Sequence, residues 1–162
     1  MNPVPIDIER AQPDDVPVIL SLIRELAEFE RLLDQVTATE EAIRESLFGS
    51  QPRAEVLLAR VAGEVAGFAL FFHNYSTFRG KPGLYLEDLF VRPRFRGTGC
   101  GQLLLRRLAA LALQRGCARM EWAVLNWNQR AIDFYRKLGA VPLVEWAVYR
   151  LSDDALVRLG SE

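Results

Sequence analysis

The stretch LYLEDLFVRPRFRGTGCG, residues 84–101, carries the clearest pattern in this chain of 162 residues. Its first part, residues 84–91, is apolar except for Glu87 and Asp88, which is typical of a strand with little solvent contact. An arginine and a proline end that run, and three glycines at alternate positions follow it. Residues 102–114 then form a helix-forming stretch. The segment therefore predicts a strand, a glycine-rich turn and a helix.

The turn is suited to binding a polyanion. A helix N-terminus leaves backbone N–H groups unpaired and carries partial positive charge, and glycines let a phosphate approach that backbone closely. Three arginines before the glycines would add formal charge: Arg92, Arg94 and Arg96. No Gly-Lys-Ser/Thr follows, which excludes a Walker loop, and Gln102 stands where a dinucleotide fingerprint needs glycine. An ordinary loop is the alternative, but the strand before and the helix after favour ligand binding.

Composition indicates one globular domain over residues 1–162. Half of the residues are hydrophobic and a quarter are charged, the formal net charge is −1, and no run of basic residues indicates nucleic acid as a partner. No apolar run approaches the ~18 residues of a membrane span, and the N-terminus does not resemble a signal peptide.

The cysteine and histidine counts restrict the chemistry further. Two cysteines, Cys100 and Cys117, cannot form a disulfide framework, so reduced thiols and a cytoplasmic location are expected. One histidine, His73, with two cysteines gives no persuasive metal site and no histidine-based triad. Cys100 sits in the loop at the start of a predicted helix, where a thiolate would be favoured; a small residue filling a tight turn is the preferred interpretation.

Periodicity predicts the elements. Strands are predicted at 6–11, 56–61, 65–72, 84–91, 119–125 and 143–151. Helices are predicted from residue 13 to residue 30 or 33, at about 40–48, at 102–114 and at 128–139, with one helical turn after residue 152. Residues 73–83 are predicted to be a functional loop. This order implies a mixed sheet flanked by helices.

The spacing Arg96-x-x-Gly99-x-Gly101 after a strand resembles the coenzyme A pyrophosphate loop of the GNAT N-acetyltransferases. The element order also resembles the GNAT fold over nearly the whole chain. Three segments, residues 22–30, 84–101 and 127–140, are similar to diamine acetyltransferases, which include spermidine/spermine and thialysine acetyltransferases. The resemblance implies an α/β (α+β) fold: a mixed, mostly antiparallel sheet of six or seven strands, about four helices, and strands splayed at the acetyl-CoA site.

Acetyl-CoA is the co-substrate that the resemblance implies. It also implies a β-bulge close to Asp88, which would free backbone N–H groups for the acetyl carbonyl and the pantetheine amides. Asn128 has the alternative role of a plain helix N-cap. The implied cofactor-binding residues are Leu89, Phe90, Val91, Arg96, Gly97, Thr98, Gly99, Cys100, Gly101, Gln102, Asn128, Ala131 and Tyr135.

Two residues carry the implied catalysis. Glu87 lies in an otherwise apolar strand, and a buried carboxylate is costly unless it is paired or functional. A salt bridge to Arg119 or another basic neighbour is its structural alternative; the resemblance implies that it lines the acceptor site and can relay the amine proton through water. Asp88 points to the opposite face if the strand is regular. Tyr135 matches the tyrosine that protonates the coenzyme A thiolate, and a core tyrosine is its alternative role.

The implied acceptor site is acidic. Asn126 stands where the family often has glutamate, which leaves polyamine specificity open. The residues assigned to substrate binding are Phe29, Glu30, Glu87, Asp88, Glu121 and Glu145. The expected activity is direct transfer of acetyl from acetyl-CoA to a primary amine of a small cationic molecule, by a homodimer that binds neither nucleic acid nor membrane. The alternatives are a non-catalytic acyl-CoA-binding or sensing module and a protein N-terminal or lysine acetyltransferase.

Overall fold

The computed structural model describes residues 5–161, which contain five strands and five α-helices. The strands are β1 (Ile6–Arg10), β2 (Glu55–Val61), β3 (Glu64–Ser76), β4 (Lys81–Val91) and β5 (Met120–Trp122). The helices are α1 (Val16–Phe29), α2 (Glu40–Phe48), α3 (Cys100–Gln114), α4 (Gln129–Lys137) and α5 (Asp153–Gly160). The chain divides between Ala123 and Val124 into two compact units.

The first unit contains one sheet with the strand order β1-β2-β3-β4-β5. The first three pairings are antiparallel and β4 pairs with β5 in parallel. A parallel pair needs a crossover connection, and α3 provides it. The β2–β3 hairpin turns at Ala62 and Gly63, whose φ angles of 50° and 80° suit the right-handed twist of the strands. The predicted mixed, mostly antiparallel sheet is confirmed.

Alternation along the strands gives the sheet two buried faces. One face packs with α1 and α2 in a cluster that includes Ile19, Leu22, Ile43, Leu58 and Phe68. Alternate residues of the same strands, such as Leu57 and Phe71, point to the opposite face and are also buried. Arg115, which follows α3, lies over the Phe71 ring, with 5.8 Å from its guanidinium carbon to the ring centroid. The α3 residues Leu104, Leu108 and Leu111 are buried at helical spacing.

The second unit contains α4 and α5. Asn128 caps α4, because its side-chain oxygen accepts a hydrogen bond from the Ala131 amide at 3.2 Å. Gly139, with φ of 88°, follows the end of this helix, as the sequence predicts. Helix α5 is eight residues long, where the sequence predicts a single turn. Its first turn carries Asp153 and Asp154, whose charge suits the helix dipole.

Two predicted segments are wrong. Residues 143–151 do not form a strand, and the sheet has five strands within the described residues rather than six or seven. A strand needs a neighbour for its N–H and C=O groups, and no pairing is found for this segment within residues 5–161. The predicted loop at 73–83 is mostly paired strand, from His73↔Leu84 to Ser76↔Lys81, and only residues 77–80 turn. Cross-strand pairing outweighs the polar and glycine-rich local sequence there.

Candidate functional site

Strands β4 and β5 separate partway along the sheet. Their pairing runs only from Leu84↔Met120 to Leu86↔Trp122, whereas β4 continues to Val91. Over that remaining stretch β4 pairs with β3 as far as Gly67↔Val91 and, among the described residues, has no strand on its other edge. Alternate backbone groups of a strand point toward each edge. Some N–H groups of residues 87–91 therefore face the gap, at the stretch predicted to bind the acetyl carbonyl.

A β-bulge lies at Glu87. Leu70 pairs with Asp88 and the next β3 residue, Phe71, pairs with Leu86, so Glu87 is the extra residue of β4. This confirms the bulge that the family resemblance implies. The expectation that Glu87 is buried is wrong, since its side chain is exposed. The prediction assumes a regular strand, in which side chains alternate between the two faces of the sheet. The bulge places Glu87 outside this alternation.

Asp88, next to the bulge, has the most perturbed carboxyl group of the site. Its side chain is half-buried, and burial together with the charges of Glu87 and Glu30 raises its pKa to about 6. Burial also raises the pKa of Glu30, the residue that follows α1. Three carboxylates assigned to the acceptor therefore act on one another. The sequence pattern includes Asp88 among them but does not indicate that its pKa is the one raised toward neutral pH.

Glu121 has its own partners. Its Oε2 accepts a hydrogen bond from the Asn74 amide at 3.0 Å and lies 3.1 Å from Arg119 Nε. The ion pair that is the alternative role for Glu87 is thus made by Glu121. Burial raises the pKa of Tyr85, and the charges of Glu87 and Glu121 add to this effect. Tyr85 pairs with Glu121 across the strands and is a residue of this region that the sequence does not indicate.

The glycine-rich turn has backbone angles that favour glycine. Gly97 and Gly99 have φ of 84° and 98°, and Gly99 is the N-cap of α3. The Thr98 hydroxyl donates to the Phe95 carbonyl at 2.7 Å, which fixes the turn before the helix. The amides of Cys100, Gly101 and Gln102 fall in the first turn of α3, where intrahelical acceptors are lacking. Cys100 is buried, in line with the small-residue interpretation.

Two of the three arginines before the turn bind carboxylates of this chain. Arg92 Nη2 lies 2.7 Å from Glu25 Oε1, and its Nε is 3.0 Å from the other oxygen. The Arg92 hydrogen bond holds the pKa of Glu25 below its usual value. Arg94 forms an ion pair with Glu64. The expectation that all three supply charge for a polyanion is therefore wrong for these two, which hold the turn against α1 and β3.

Arg96 connects the predicted cofactor loop to the predicted acceptor site. Its Nε donates to the Val91 carbonyl at 3.0 Å. Its guanidinium carbon lies 4.7 Å from the ring centroid of Phe29 and 5.6 Å from that of Phe90. The sequence assigns these four residues to two different sites, and the structure brings them together. A motif search does not find this contact, because Phe29 and Arg96 are distant in sequence.

The remaining predicted residues lie in the second unit, which is described by itself. Asn128 and Ala131 form the N-terminal cap of α4, and Tyr135, on the same helix, is half-buried with its ring 5.5 Å from that of Phe134. Glu145 is exposed in a turn. The N-cap role of Asn128 is thus confirmed, and it leaves the amide nitrogen of that side chain to other contacts.

Residues 5–161 can also be considered for a membrane-spanning helix and for a metal site. No helix in this range is long and apolar enough to cross a membrane. No group of three or more His, Cys, Asp or Glu side chains in the same range is arranged to hold a metal ion.

Comparisons with known proteins agree with this geometry. Residues 20–140 match the acetyltransferase (GNAT) family. The chain is 41% identical to the thialysine N-epsilon-acetyltransferase of Bos taurus, over 96% of this chain and 97% of that protein. It is 35% identical to an L-ornithine N5-acetyltransferase of Arabidopsis thaliana, over 92% and 85% of the two chains. An integron cassette protein from the mobile metagenome of V. cholerae has a similar structure, with a TM-score of 0.82, 25% identity and coverage of 97% and 98%.

Proposed function

The chain belongs to the acetyltransferase (GNAT) family, and on that basis we propose that it transfers acetyl from acetyl-CoA to a primary amine of a small cationic acceptor. The acceptor class is a diamine, a polyamine or an amino acid with a side-chain amine, as in thialysine. The observation that carries the proposal is the half-buried Asp88, with a pKa of about 6, beside Glu30 and Glu87 at the β4 bulge. The family match, residues 20–140, runs from the first compact unit into the second, which supports treating residues 1–162 as one catalytic domain.

The turn between β4 and α3 suits the pyrophosphate of acetyl-CoA. Its glycines have φ angles that favour glycine, and the first amides of α3 provide donors for phosphate oxygens. Arg96 supplies the nearby positive charge. When bound, acetyl-CoA supplies an acyl group activated as a thioester. The N–H groups of Leu89 to Val91 that face the gap beyond β5 are suited to hold its carbonyl oxygen.

The three carboxylates suit a cationic acceptor. An amine reaches the site mainly as ammonium, because its pKa is near 10, and it must lose a proton before attack. Asp88 is ionised above its pKa of about 6, and at neutral pH this raised pKa makes it a better proton acceptor than an ordinary carboxylate. We therefore assign the first proton acceptance to Asp88. The exposed Glu87 and the half-buried Glu30 attract the rest of the positive charge.

Tyr135 is the proposed donor for the leaving thiolate. A phenol keeps its proton at neutral pH and can act as a general acid, donating that proton as negative charge develops on the leaving sulfur. Support comes from the position of Tyr135 in the segment 127–140, which resembles the diamine acetyltransferases. The amine attacks the thioester directly within a ternary complex, because the sequence indicates no covalent acetyl carrier.

We also propose that the enzyme is a cytoplasmic homodimer. The free thiols of Cys100 and Cys117 suit a reducing compartment. In residues 141–151, Trp146, Val148 and Tyr149 are exposed by 77%, 89% and 95%. A self-complementary surface that contains these side chains would remove them from water across a two-fold axis.

An assay of thiol release from acetyl-CoA with a panel of amines tests the proposed function. Turnover with dicationic amines supports the enzyme, whereas acetyl-CoA binding without turnover on any amine supports the non-catalytic sensing module. Efficient acetylation of peptides, competing with small amines, would instead support a protein acetyltransferase.

A further inference from the structure

A cavity of about 400 Å³ lies at the end of the sheet where β2 begins. Its volume falls within the range of small-molecule sites. It is formed by the end of β1, the end of α2 and the residues that follow it, the start of β2 and the middle of β3. The lining residues are Arg10, Ala11, Leu47, Phe48, Pro52, Arg53, Ala54, Glu55, Val56, Phe71, Phe72 and His73.

The cavity is separate from the proposed acetyl-CoA turn. Along β3, Gly67 pairs with Val91, the last β4 residue before that turn. The cavity residues Phe71 to His73 lie four to six positions further along the same strand, opposite Leu86 to Leu84. At roughly 3.3 Å per residue, the two regions are about 13–20 Å apart along the sheet. A ligand could therefore occupy the cavity without touching the turn.

Glu55, the carboxylate among these lining residues, is already neutralised. Arg115 binds Glu55 through two contacts, Nη1 to Oε1 at 2.5 Å and Nη2 to Oε2 at 2.9 Å. Arg10 Nη2 also lies 3.2 Å from Glu55 Oε2. The Arg115 hydrogen bond holds the pKa of Glu55 below its usual value, so this carboxylate stays ionised and paired. It does not offer a free negative charge to a cation.

Arg53 supplies an unused positive charge at the same cavity. Its side chain is exposed and, within residues 5–161, makes no hydrogen bond or ion pair. Arg10, which also lines the cavity, keeps 58% of its side chain exposed although it contacts Glu55. With Glu55 held by Arg115, the charge left for a ligand is positive.

The inner wall is apolar. Leu47, Val56 and Phe71 are buried, and Phe48 and Phe72 are half-buried beside them. Water in contact with such a wall is readily displaced by an apolar group. The cavity lining therefore combines apolar side chains with two arginines.

From this arrangement we propose that the cavity is a second ligand site, which binds a small carboxylate with an apolar body about the size of one aromatic ring. The ring packs against Phe72, Val56 and Leu47. The carboxylate binds the Arg53 guanidinium, with Arg10 as the second cation.

The test is a titration followed by amide chemical shifts, with phenylacetate as the probe and the full chain as the protein. The largest shifts are expected at residues 53–56 and 71–73. Acetate lacks the ring and phenylacetamide lacks the charge, so each should bind roughly tenfold more weakly or worse. Arg53→Gln should weaken phenylacetate binding by about five- to tenfold, because it removes a charge-assisted hydrogen bond at an open site. Arg24→Gln, a matched loss of charge on the exposed face of α1, should leave the affinity unchanged.

Repeating the titration with saturating coenzyme A tests whether this cavity is distinct from the proposed acetyl-CoA site. We expect the phenylacetate affinity to stay the same when coenzyme A is present. The proposal is overturned if coenzyme A displaces phenylacetate, if phenylacetamide binds equally well, or if Arg53→Gln has no effect on the affinity. A result of this kind would leave the acetyltransferase proposal untouched, since that proposal does not depend on this cavity.

Discussion

At the scale of single residues, we expect Asp88 to contribute to the pH dependence of both stability and activity. Its folded-state pKa of about 6 lies above the ordinary value of 3.8, so the folded chain binds this proton more tightly than the unfolded chain. The contribution of Asp88 to the free energy of unfolding should therefore fall as pH rises from about 4 to 6 and stay constant above that range. The lowered pKa values of Glu25 and Glu55 contribute in the opposite direction.

Asp88→Asn removes the free-energy cost of holding an ionised carboxylate at this half-buried position. The variant should be more stable than the parent by about 1–3 kcal/mol at pH 8, with the gain disappearing toward pH 4. Its kcat/KM for a diamine should fall roughly a hundredfold or more because the proton acceptor is lost. Urea denaturation at several pH values and steady-state rates measure the two effects. Glu87→Gln is the matched control: it removes an exposed charge that is only the secondary cause of the raised Asp88 pKa, so its stability gain at pH 8 should be much smaller. Equal stability gains in both variants would contradict the assignment.

Substitution of Tyr135 tests the second proposed proton transfer, from the protein to the leaving thiolate. Tyr135→Phe should lower kcat by roughly ten- to a thousandfold, the usual contribution of a general acid. The Kd for acetyl-CoA should change little, because the ring and its contact with Phe134 remain. Calorimetry and rate measurements under conditions where chemistry limits turnover check both expectations. Near-normal turnover would return Tyr135 to the alternative role of a packing residue.

At the scale of elements, the turn between β4 and α3 is the proposed co-substrate site. Gly99 has φ of 98°, and among the described residues no atom beyond its chain neighbours would lie within 4 Å of a Cβ added there. Gly99→Val is therefore opposed by backbone conformation rather than by a clash, at a local cost on the order of 1–3 kcal/mol. We expect acetyl-CoA binding to be lost in calorimetry while the circular dichroism of the fold is retained. Unchanged affinity would contradict a role for this turn in binding.

The elements also show which features a sequence can predict. The strand, turn and helix of residues 84–114 follow from local patterns, since hydrophobic periodicity and glycine positions act over a few residues. The exposure of Glu87 and the pKa of Asp88 depend on the bulge, which is defined by pairing with β3. The contact between Phe29 and Arg96 likewise depends on tertiary packing. Residues 143–151 have a strand-like composition, and that composition does not ensure a strand without a pairing partner.

At the scale of the whole molecule, the proposed homodimer predicts a mass near twice 18.3 kDa in light scattering at micromolar concentration. Val148 is 89% exposed in residues 141–151, so Val148→Lys would place a charge inside an apolar interface and should give a monomer. Arg150→Lys, two residues away, keeps its charge and should remain dimeric. A monomeric parent chain would remove the dimer proposal and leave the catalytic site unaffected.

The charge of the whole chain contrasts with that of its acceptor site. The formal net charge is only −1, yet Glu30, Glu87 and Asp88 influence one another around the β4 bulge. This local field should concentrate dications over monocations, and added salt should weaken the preference. We therefore attribute the proposed preference for cationic amines to the site rather than to the protein surface as a whole.

The most direct test of this account is the kcat/KM of matched amines, measured by thiol release from acetyl-CoA at low and high salt. Thialysine, ornithine and a linear diamine form the dicationic side of the panel, and a simple monoamine of equal chain length is the control. We predict higher kcat/KM for acceptors with two positive groups, an advantage that shrinks with salt, and activity that rises with pH as the amine loses its proton. Thiol release that is absent with every amine, or faster with neutral or anionic acceptors, would contradict the proposed transfer to cationic amines.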